Sequence, residues 1–232
     1  RPEEPRGRQD GARMPATMTA APSALLWFLS QHPLLALPVL MALAGLLSWW
    51  RRTPLYLIAM FPLAMLNVFL GSFVNAAWVN GIGERGEAVI VKAEETSSTL
   101  NDRYIWRYEA VVHTADGQDV DVVFHTNTIS LWPLENAIRI PAQGQPFVVK
   151  YAPGFPRSIV ILSNESPHGI AQSRARARER VEVAARRLHF SPGNERFRAD
   201  YRRELDTWLR DHGDDPQQQA QAQRYRDERE AL

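Results

Sequence analysis

One stretch of the sequence has the spacing of a nucleotide-binding loop. Residues Asn80–Gly86, NGIGERG, contain G-x-G-x-x-G, which binds a pyrophosphate where a strand precedes the glycines and a helix follows them. Here a long apolar helical run precedes the glycines, and the β-branched run AVIVKA at Ala88–Ala93 follows. Because this order is reversed, we predict no nucleotide cofactor. Gly81 is instead expected to end the helix.

A second pattern concentrates histidine and aspartate in one predicted β-hairpin. The β-rich runs 103–114 and 118–126 are joined by Ala115-Asp116-Gly117, and a three-residue loop ending in glycine sets the pairing register. The predicted apolar face pairs Val112 with Val120, Ala110 with Val122, and Tyr108 with Phe124. The other face pairs His113 with Asp119, Val111 with Asp121, Glu109 with Val123, and Arg107 with His125.

The polar face of this hairpin contains the residue types of a metal site, but they are too widely spaced. Facing residues lie about 5 Å apart, whereas His125 and Asp119 are separated by six residues, roughly 20 Å along a strand. Solvated cross-strand pairs are therefore expected. The absence of cysteine excludes thiolate catalysis and zinc-cysteine sites, and the sequence shows no Ser-His-Asp order, phosphate loop or metal-binding helix motif. We therefore predict no catalytic, cofactor-binding or metal-binding residue.

The apolar residues are concentrated near the N-terminus. Leu55 to Trp78 contains no charged residue, and a bilayer-spanning helix needs about 20 predominantly apolar residues. Residues 24–80 are therefore predicted to form a transmembrane hairpin, with helices at about 25–50 and 55–78. The preceding residues 1–23, which begin with a Pro-, Gly- and Arg-rich stretch, are expected to be disordered.

The charges beside the hairpin predict its orientation. Arg51 and Arg52 directly follow the first span, which favours a cytoplasmic loop and places the remainder of the chain on the opposite side. Asn67 and Asn75 lie within the second span and are expected to form interhelical contacts.

Residues 86–163 hold several β-rich runs separated by turns, which predicts a small all-β barrel or sandwich domain. This region resembles domain-of-unknown-function family 3592 in its turn and core residues: Gly86-x-Ala88-x-Ile90, Trp106-x-Tyr108-x-Ala110, Asp116-Gly117, Pro141-x-x-Gly144, Val149-x-Tyr151-x-Pro153-x-x-Pro156 and Ile159-x-Ile161. The resemblance implies a bacterial membrane-anchored protein with a compact β domain, and it supplies no catalytic residues. In the usual arrangement of the family, spans flank the β domain, whereas here both spans come first.

Residues 166–232 form a charged tail with 14 arginines, no lysine and 12 acidic residues. Helices are predicted over 170–190 and after Asn194, which can cap the second one. On that second helix an apolar stripe is expected to pack on the β domain or on a partner subunit, and is the candidate interaction surface: Phe197, Tyr201, Leu205, Trp208 and Leu209. An interfacial helix on anionic headgroups is the alternative, while the nearly balanced charge argues against nucleic-acid binding.

Together these patterns predict an α+β membrane protein: an N-terminal transmembrane hairpin, a small β domain and a charged helical tail. The predicted function is non-enzymatic protein–protein interaction at the bacterial inner membrane, with the β domain and the tail in the periplasm. The expected partners are the lipid bilayer and a protein or a second copy of the chain. The alternatives are an immunity or inhibitor protein acting at the membrane, and an enzyme with an unrecognised site on the His/Asp face of the hairpin.

Overall fold

A computed structural model describes residues 15–100, 102–134 and 140–232, and the protein is α+β. The helices are α1 (Ala16–Gln31), α2 (Pro33–Arg51), α3 (Leu55–Ile82), α4 (Pro167–Phe190), α5 (Glu195–His212) and α6 (Gln219–Glu230). The strands are β1 (Glu84–Leu100), β2 (Arg103–His113), β3 (Asp119–His125), β4 (Leu131–Trp132), β5 (Pro146–Ala152) and β6 (Phe155–Leu162). Residues up to Gly169 form one compact unit, and Ile170–Leu232 form a second.

The predicted first span is divided into two helices. The chain leaves helical geometry at His32, and Pro33 occupies the first turn of α2, where its missing N–H needs no partner. The membrane-length helix therefore begins at Pro33 rather than at Leu25, and α1 precedes it. The expectation of disorder over residues 1–23 is wrong for Ala16 onward, which is helical, while its first 14 residues lie outside the described part of the chain.

Together α1 and α2 run antiparallel along α3. Near the hairpin loop, Gly45 faces Leu57. Farther along, the side-chain amide of Asn67 donates a hydrogen bond to the carbonyl of Leu29 at 3.0 Å. At the other end, the indole of Trp78 donates to Ser23 Oγ, also at 3.0 Å. The long helix α3 thus has α2 beside its first half and α1 beside its second half.

The six strands form one sheet in the order β3-β2-β1-β5-β6-β4. The predicted hairpin register is confirmed at all seven pairs of β2 with β3, from Arg107↔His125 to His113↔Asp119. Gly117 has a φ of +83°, the left-handed conformation that the three-residue loop requires. One face of the sheet buries a core of small and large apolar residues: Ala88, Ile90, Ala110, Val112, Val122, Phe124, Phe147, Val149, Tyr151, Ile159 and Ile161.

The expected barrel or sandwich is not what the strand pairing gives. A sandwich needs two sheets, and a barrel needs its first and last strands to pair. Within the described residues the ladder ends at β3 on one side and at β4 on the other. The sheet is also not purely antiparallel, because its edge strand β4 pairs with β6 in parallel.

Strand β6 is buried on both of its faces. Ile159 and Ile161 point into the core of the sheet. Their neighbours Val160 and Leu162 point to the opposite side, where they pack with Val79 and other residues of α3. Alternation along a strand therefore puts one set of β6 side chains in the sheet core and the other set against the long helix.

Helix α3 passes into β1 within a single residue. The helix continues through Gly81 and ends at Ile82, so Gly83 rather than Gly81 is its C-cap. A Cβ at Gly83 would lie 2.3 Å from the carbonyl oxygen of Val79 and 3.0 Å from that of Tyr151. Since no side chain fits there, glycine allows the helix end, β1 and β5 to approach closely.

The C-terminal unit is built from α4, α5 and α6 around its own apolar core. Asn194 caps α5, as predicted, because its side-chain oxygen accepts hydrogen bonds from the amides of Arg196 and Phe197. The polar C-terminal residues form helix α6. Ala222 and Tyr225, one helical turn apart, anchor that helix in the core.

Candidate functional surfaces

The first candidate surface is the exposed apolar side of α2 and α3. Both helices are long and apolar enough to cross a membrane. Large apolar side chains cover their outer faces; Leu43, for example, is 58% exposed. Such an uninterrupted apolar surface is unfavourable in water and favourable in lipid.

Aromatic residues and arginine mark the loop end of this surface. Trp49 and Trp50 are exposed at the end of α2, and the guanidinium of Arg51 lies 4.8 Å from the centre of the Trp50 ring. Indole rings and cationic side chains are typical of the membrane–water interface. From Pro33 to Arg51 the helix spans 19 residues, about 28 Å at 1.5 Å per residue, which matches the hydrocarbon thickness.

Beyond this length, α3 is joined to the sheet by buried polar contacts. The side-chain amide of Asn75 donates to Ser130 Oγ at 3.1 Å, while its carbonyl oxygen accepts from Ser158 Oγ at 3.1 Å. All three residues are buried, and each hydrogen bond crosses from the helix to the sheet region. Asn75 was expected to bond between helices; its partners are instead in β6 and in the segment before β4.

Helix α1 is joined to the same part of the protein. Gln31 and Thr128 exchange two hydrogen bonds, of 3.1 Å from the Gln31 amide to the Thr128 carbonyl and 2.9 Å from the Thr128 hydroxyl to Gln31 Oε1. At the other end of α1, Thr19 donates to the carbonyl of Pro153 at 2.7 Å. The sheet is therefore attached to the helices at several points rather than through a flexible linker.

The His/Asp face of the hairpin carries isolated pairs. Nδ1 of His113 lies 2.8 Å from Asp119, and both side chains are exposed. At the opposite end, burial lowers the pKa of His125, and the nearby positive charges of Arg107 and His32 lower it further. Among the described residues, no group of three or more His, Cys, Asp or Glu side chains has the arrangement of a metal site.

A row of ion pairs lies beside His125 on strands β1 and β2. Arg107 bonds to Glu94 and Glu109, each at 2.8 Å, and Lys92 bonds to Glu94 at 2.7 Å. Hydrogen bonding to Lys92 and Arg107 lowers the pKa of Glu94. The charges on this surface compensate one another.

The predicted interaction stripe on α5 is mostly buried within the C-terminal unit itself. Tyr201, Leu205 and Trp208 belong to its core with residues of α4 and α6, while Phe197 and Leu209 are partly exposed. The expectation that this stripe packs on the β domain or a partner is therefore corrected. The stripe has a nearer partner, because α4 and α6 present complementary apolar faces.

The C-terminal unit instead presents a charged groove between α4 and α5, about 510 Å³ in volume. It is lined by Arg176, Glu179, Arg180, Val183, Ala184, Arg187, Asp200, Arg203 and Glu204. Arg180 contacts Glu204 at 3.5 Å, and Arg203 contacts Asp200 at 2.9 Å. Sequence reasoning missed this groove, although Arg176, Arg180 and Arg187 have the spacing of one helix face.

Comparison of the chain with protein-family models, curated proteins and solved structures finds no match.

Proposed function

We propose that this chain is a non-enzymatic, membrane-anchored protein of the bacterial envelope that binds other proteins through its β domain and its C-terminal helical unit. Membrane anchoring is supported by the exposed apolar surface that α2 and α3 share. In water this surface would be a large unfavourable patch, whereas a bilayer covers it without any further protein. The position of Arg51 and Arg52 at the end of α2, beside the loop, supports a cytoplasmic loop and an extracytoplasmic sheet.

The direct packing of α3 on the sheet supports a role in presenting a folded domain at a fixed distance from the membrane. Asn75, Gln31 and Thr19 each tie a helix to the sheet region by hydrogen bonds. A tether needs only a flexible linker, so this attachment favours a function in which the position of the β domain matters.

The groove between α4 and α5 is the best candidate for a protein partner. Its arginines and acids offer charge-assisted hydrogen bonds of both signs, which suits a polar peptide segment with acidic residues among its contacts. Arg176 and Arg187 form no ion pair with the described residues, so a ligand's carboxylates would add contacts there.

A photocrosslinking experiment in the native membrane tests this binding. The crosslinking amino acid p-benzoylphenylalanine replaces Val183, which lines the groove, and in a control it replaces Ala199, an exposed α5 residue outside the groove. We expect a discrete adduct from position 183 that weakens when Arg176→Glu and Arg187→Glu are added. Identical adducts from the two positions would contradict binding in the groove.

The enzyme alternative makes a different prediction. Replacing His113, Asp119, Asp121 and His125 together by alanine should leave the adduct and the cellular function unchanged, because these side chains do not converge on one atom. Loss of cellular function by a variant that still folds would favour an active site on this face instead.

A further inference from the structure

Seven charged side chains line the groove between α4 and α5, and four of them compensate one another. Arg180 on α4 contacts Glu204 on α5 at 3.5 Å, and Arg203 contacts Asp200 within α5 at 2.9 Å. The remaining three charges all lie on α4: Arg176, Glu179 and Arg187. The groove is therefore net positive, and its uncompensated charges belong to one helix.

The two uncompensated arginines are the first and last residues of α4 that line the groove. Arg176 and Arg187 are eleven residues apart, which is about 16 Å at 1.5 Å per residue. Neither forms an ion pair with any residue that the structure describes. A guanidinium presents a planar fork of N–H donors that matches a carboxylate. The groove therefore offers a carboxylate-binding position at each end.

The wall of the groove between these arginines is apolar in part. Val183 and Ala184 both line it, and Ala184 is buried. A ligand that reaches both arginines passes over these side chains. An apolar group in the middle of the ligand would lose contact with water there, which favours binding.

The volume of the groove limits the shape of its ligand. About 510 Å³ over a length of about 16 Å leaves a cross-section of about 30 Å², which is roughly 6 Å across. An α-helix with its side chains is about 10–12 Å wide, whereas neighbouring extended chains lie only about 4.8 Å apart. An extended peptide therefore fits the groove, and a helix is too wide to lie in it.

The distance between the arginines sets the spacing of acidic residues on such a peptide. Side chains on one face of an extended chain are two residues apart, or about 6.6 Å. Three successive side chains on that face span about 13 Å, and the long, flexible arginine side chains cover the difference. The outer two can then reach Arg176 and Arg187, while the central one faces Val183 and Ala184.

We propose that the groove binds an extended peptide of the pattern acid-x-apolar-x-acid, whose carboxylates pair with Arg176 and Arg187. The inference rests on the proposed binding of a protein partner in this groove, and it specifies the chemistry of the bound segment. Glu179 is three residues from Arg176 on the same helix, so it is a neighbour of that arginine and repels a carboxylate bound there. Arg187 is therefore the stronger of the two anchors.

Titration of the full chain in detergent with short peptides tests the proposal. The probe is Ser-Glu-Ser-Leu-Ser-Glu-Ser with a trifluoroacetyl cap, and its fluorine NMR signal broadens when it binds. The control peptide, Ser-Glu-Glu-Ser-Leu-Ser-Ser, has the same composition with adjacent acids. A helical peptide with two glutamates eleven residues apart represents the other shape of ligand.

We expect the probe to bind several-fold more tightly than the control peptide. Arg187→Gln should weaken binding of the probe about two- to fivefold, the effect of one exposed ion pair, and Arg176→Gln should weaken it less. Glu179→Gln should strengthen binding, a gain that unfolding cannot produce. Arg202→Gln, at an exposed position of α5 outside the groove, is the matched control and should change nothing.

Two results would overturn this ligand: equal binding of the two short peptides, or tighter binding of the helical peptide. A loss from Arg202→Gln as large as that from Arg187→Gln would indicate general charge attraction and would also overturn it. If the crosslinked adduct at position 183 still forms in any of these cases, only the present inference fails. If no adduct forms, the proposed binding in the groove fails, and this inference fails with it.

Discussion

Asn75 on α3 and Ser158 on β6 are joined by a buried hydrogen bond of 3.1 Å from the serine hydroxyl to the asparagine carbonyl oxygen. The bond lies at the interface where the helix packs on the outer side of the sheet. Because the same asparagine also donates to Ser130, one side chain satisfies two buried hydroxyl groups from different segments.

Asn75→Ala is expected to weaken the joint between helix and sheet. Removing the amide leaves the hydroxyls of Ser130 and Ser158 buried with fewer partners, at a cost of about 1–3 kcal/mol. Denaturant unfolding of the detergent-solubilised protein measures the loss. A double-mutant cycle with Ser158→Ala supplies the control: a coupling energy near zero would mean that this hydrogen bond does not contribute to stability.

The faces of the β2–β3 hairpin predict opposite results for two neighbouring residues. Val122→Asp puts a charge into the sheet core opposite Ala110. It is expected to lower the free energy of unfolding by several kcal/mol, on the order of the total stability of a small domain. Val123→Asp should be mild, since Val123 is 38% exposed on the other face. Circular dichroism during thermal unfolding measures both variants, and equal effects would contradict the assigned faces.

Gly83 and Gly81 form a matched pair at the end of α3. Gly83→Ala is expected to destabilise the protein, because the added Cβ meets two backbone carbonyls that cannot move independently. Gly81→Ala should be neutral or stabilising by about 0.5–1 kcal/mol, since its Cβ meets no atom within 4 Å and alanine favours a helix. Thermal unfolding measures the stability of both variants. A greater loss of stability from Gly81→Ala than from Gly83→Ala would contradict the assigned end of the helix.

The C-terminal unit should lose stability in alkali. Burial, with further contributions from the hydrogen bond to Glu228, holds the pKa of Tyr201 above its usual value near 10. A phenol whose pKa is raised by folding stabilises the folded state below pH about 10, and this contribution is lost as the pH rises further. Tyr201→Phe cannot ionise and should flatten the alkaline fall in the unfolding midpoint. The exposed Tyr104→Phe is the control, and equal slopes for both variants would contradict the role of Tyr201.

Reporter fusions measure which side of the membrane carries the sheet. In the proposed transmembrane hairpin of α2 and α3, the residues before and after the hairpin share one compartment. A reporter active only in the periplasm should work when fused after Ser166 and fail at Arg52, since the two arginines favour a cytoplasmic loop. The reverse pattern would place the sheet and the C-terminal unit in the cytoplasm.

Local signals in the sequence predict some of this fold well. The register of the β2–β3 hairpin follows from the length of its loop and from Gly117, and every predicted pair is present. Asn194 also caps α5 as predicted, because capping depends on residues only a few positions apart. Such features need no knowledge of distant parts of the chain.

Features that depend on distant partners were not predictable in the same way. The polar second half of β1 is a strand because β2 pairs with it, although only Ala88–Ala93 has strand-like composition. The stripe of α5 showed that one helix face is buried, but not that α4 and α6 bury it. The charged groove between α4 and α5 likewise exists only after these helices have packed together.

The two-sided burial of β6 imposes an order on the biogenesis of this protein. The ribosome releases α2 and α3 long before it releases β6. The side of α3 that packs against Val160 and Leu162 therefore stays exposed until Leu162 has been synthesised. During that interval the new chain has its two long apolar helices but an incomplete sheet. A chain truncated before β6 would keep both apolar faces exposed, which makes it a substrate for the proteases that remove unfinished proteins.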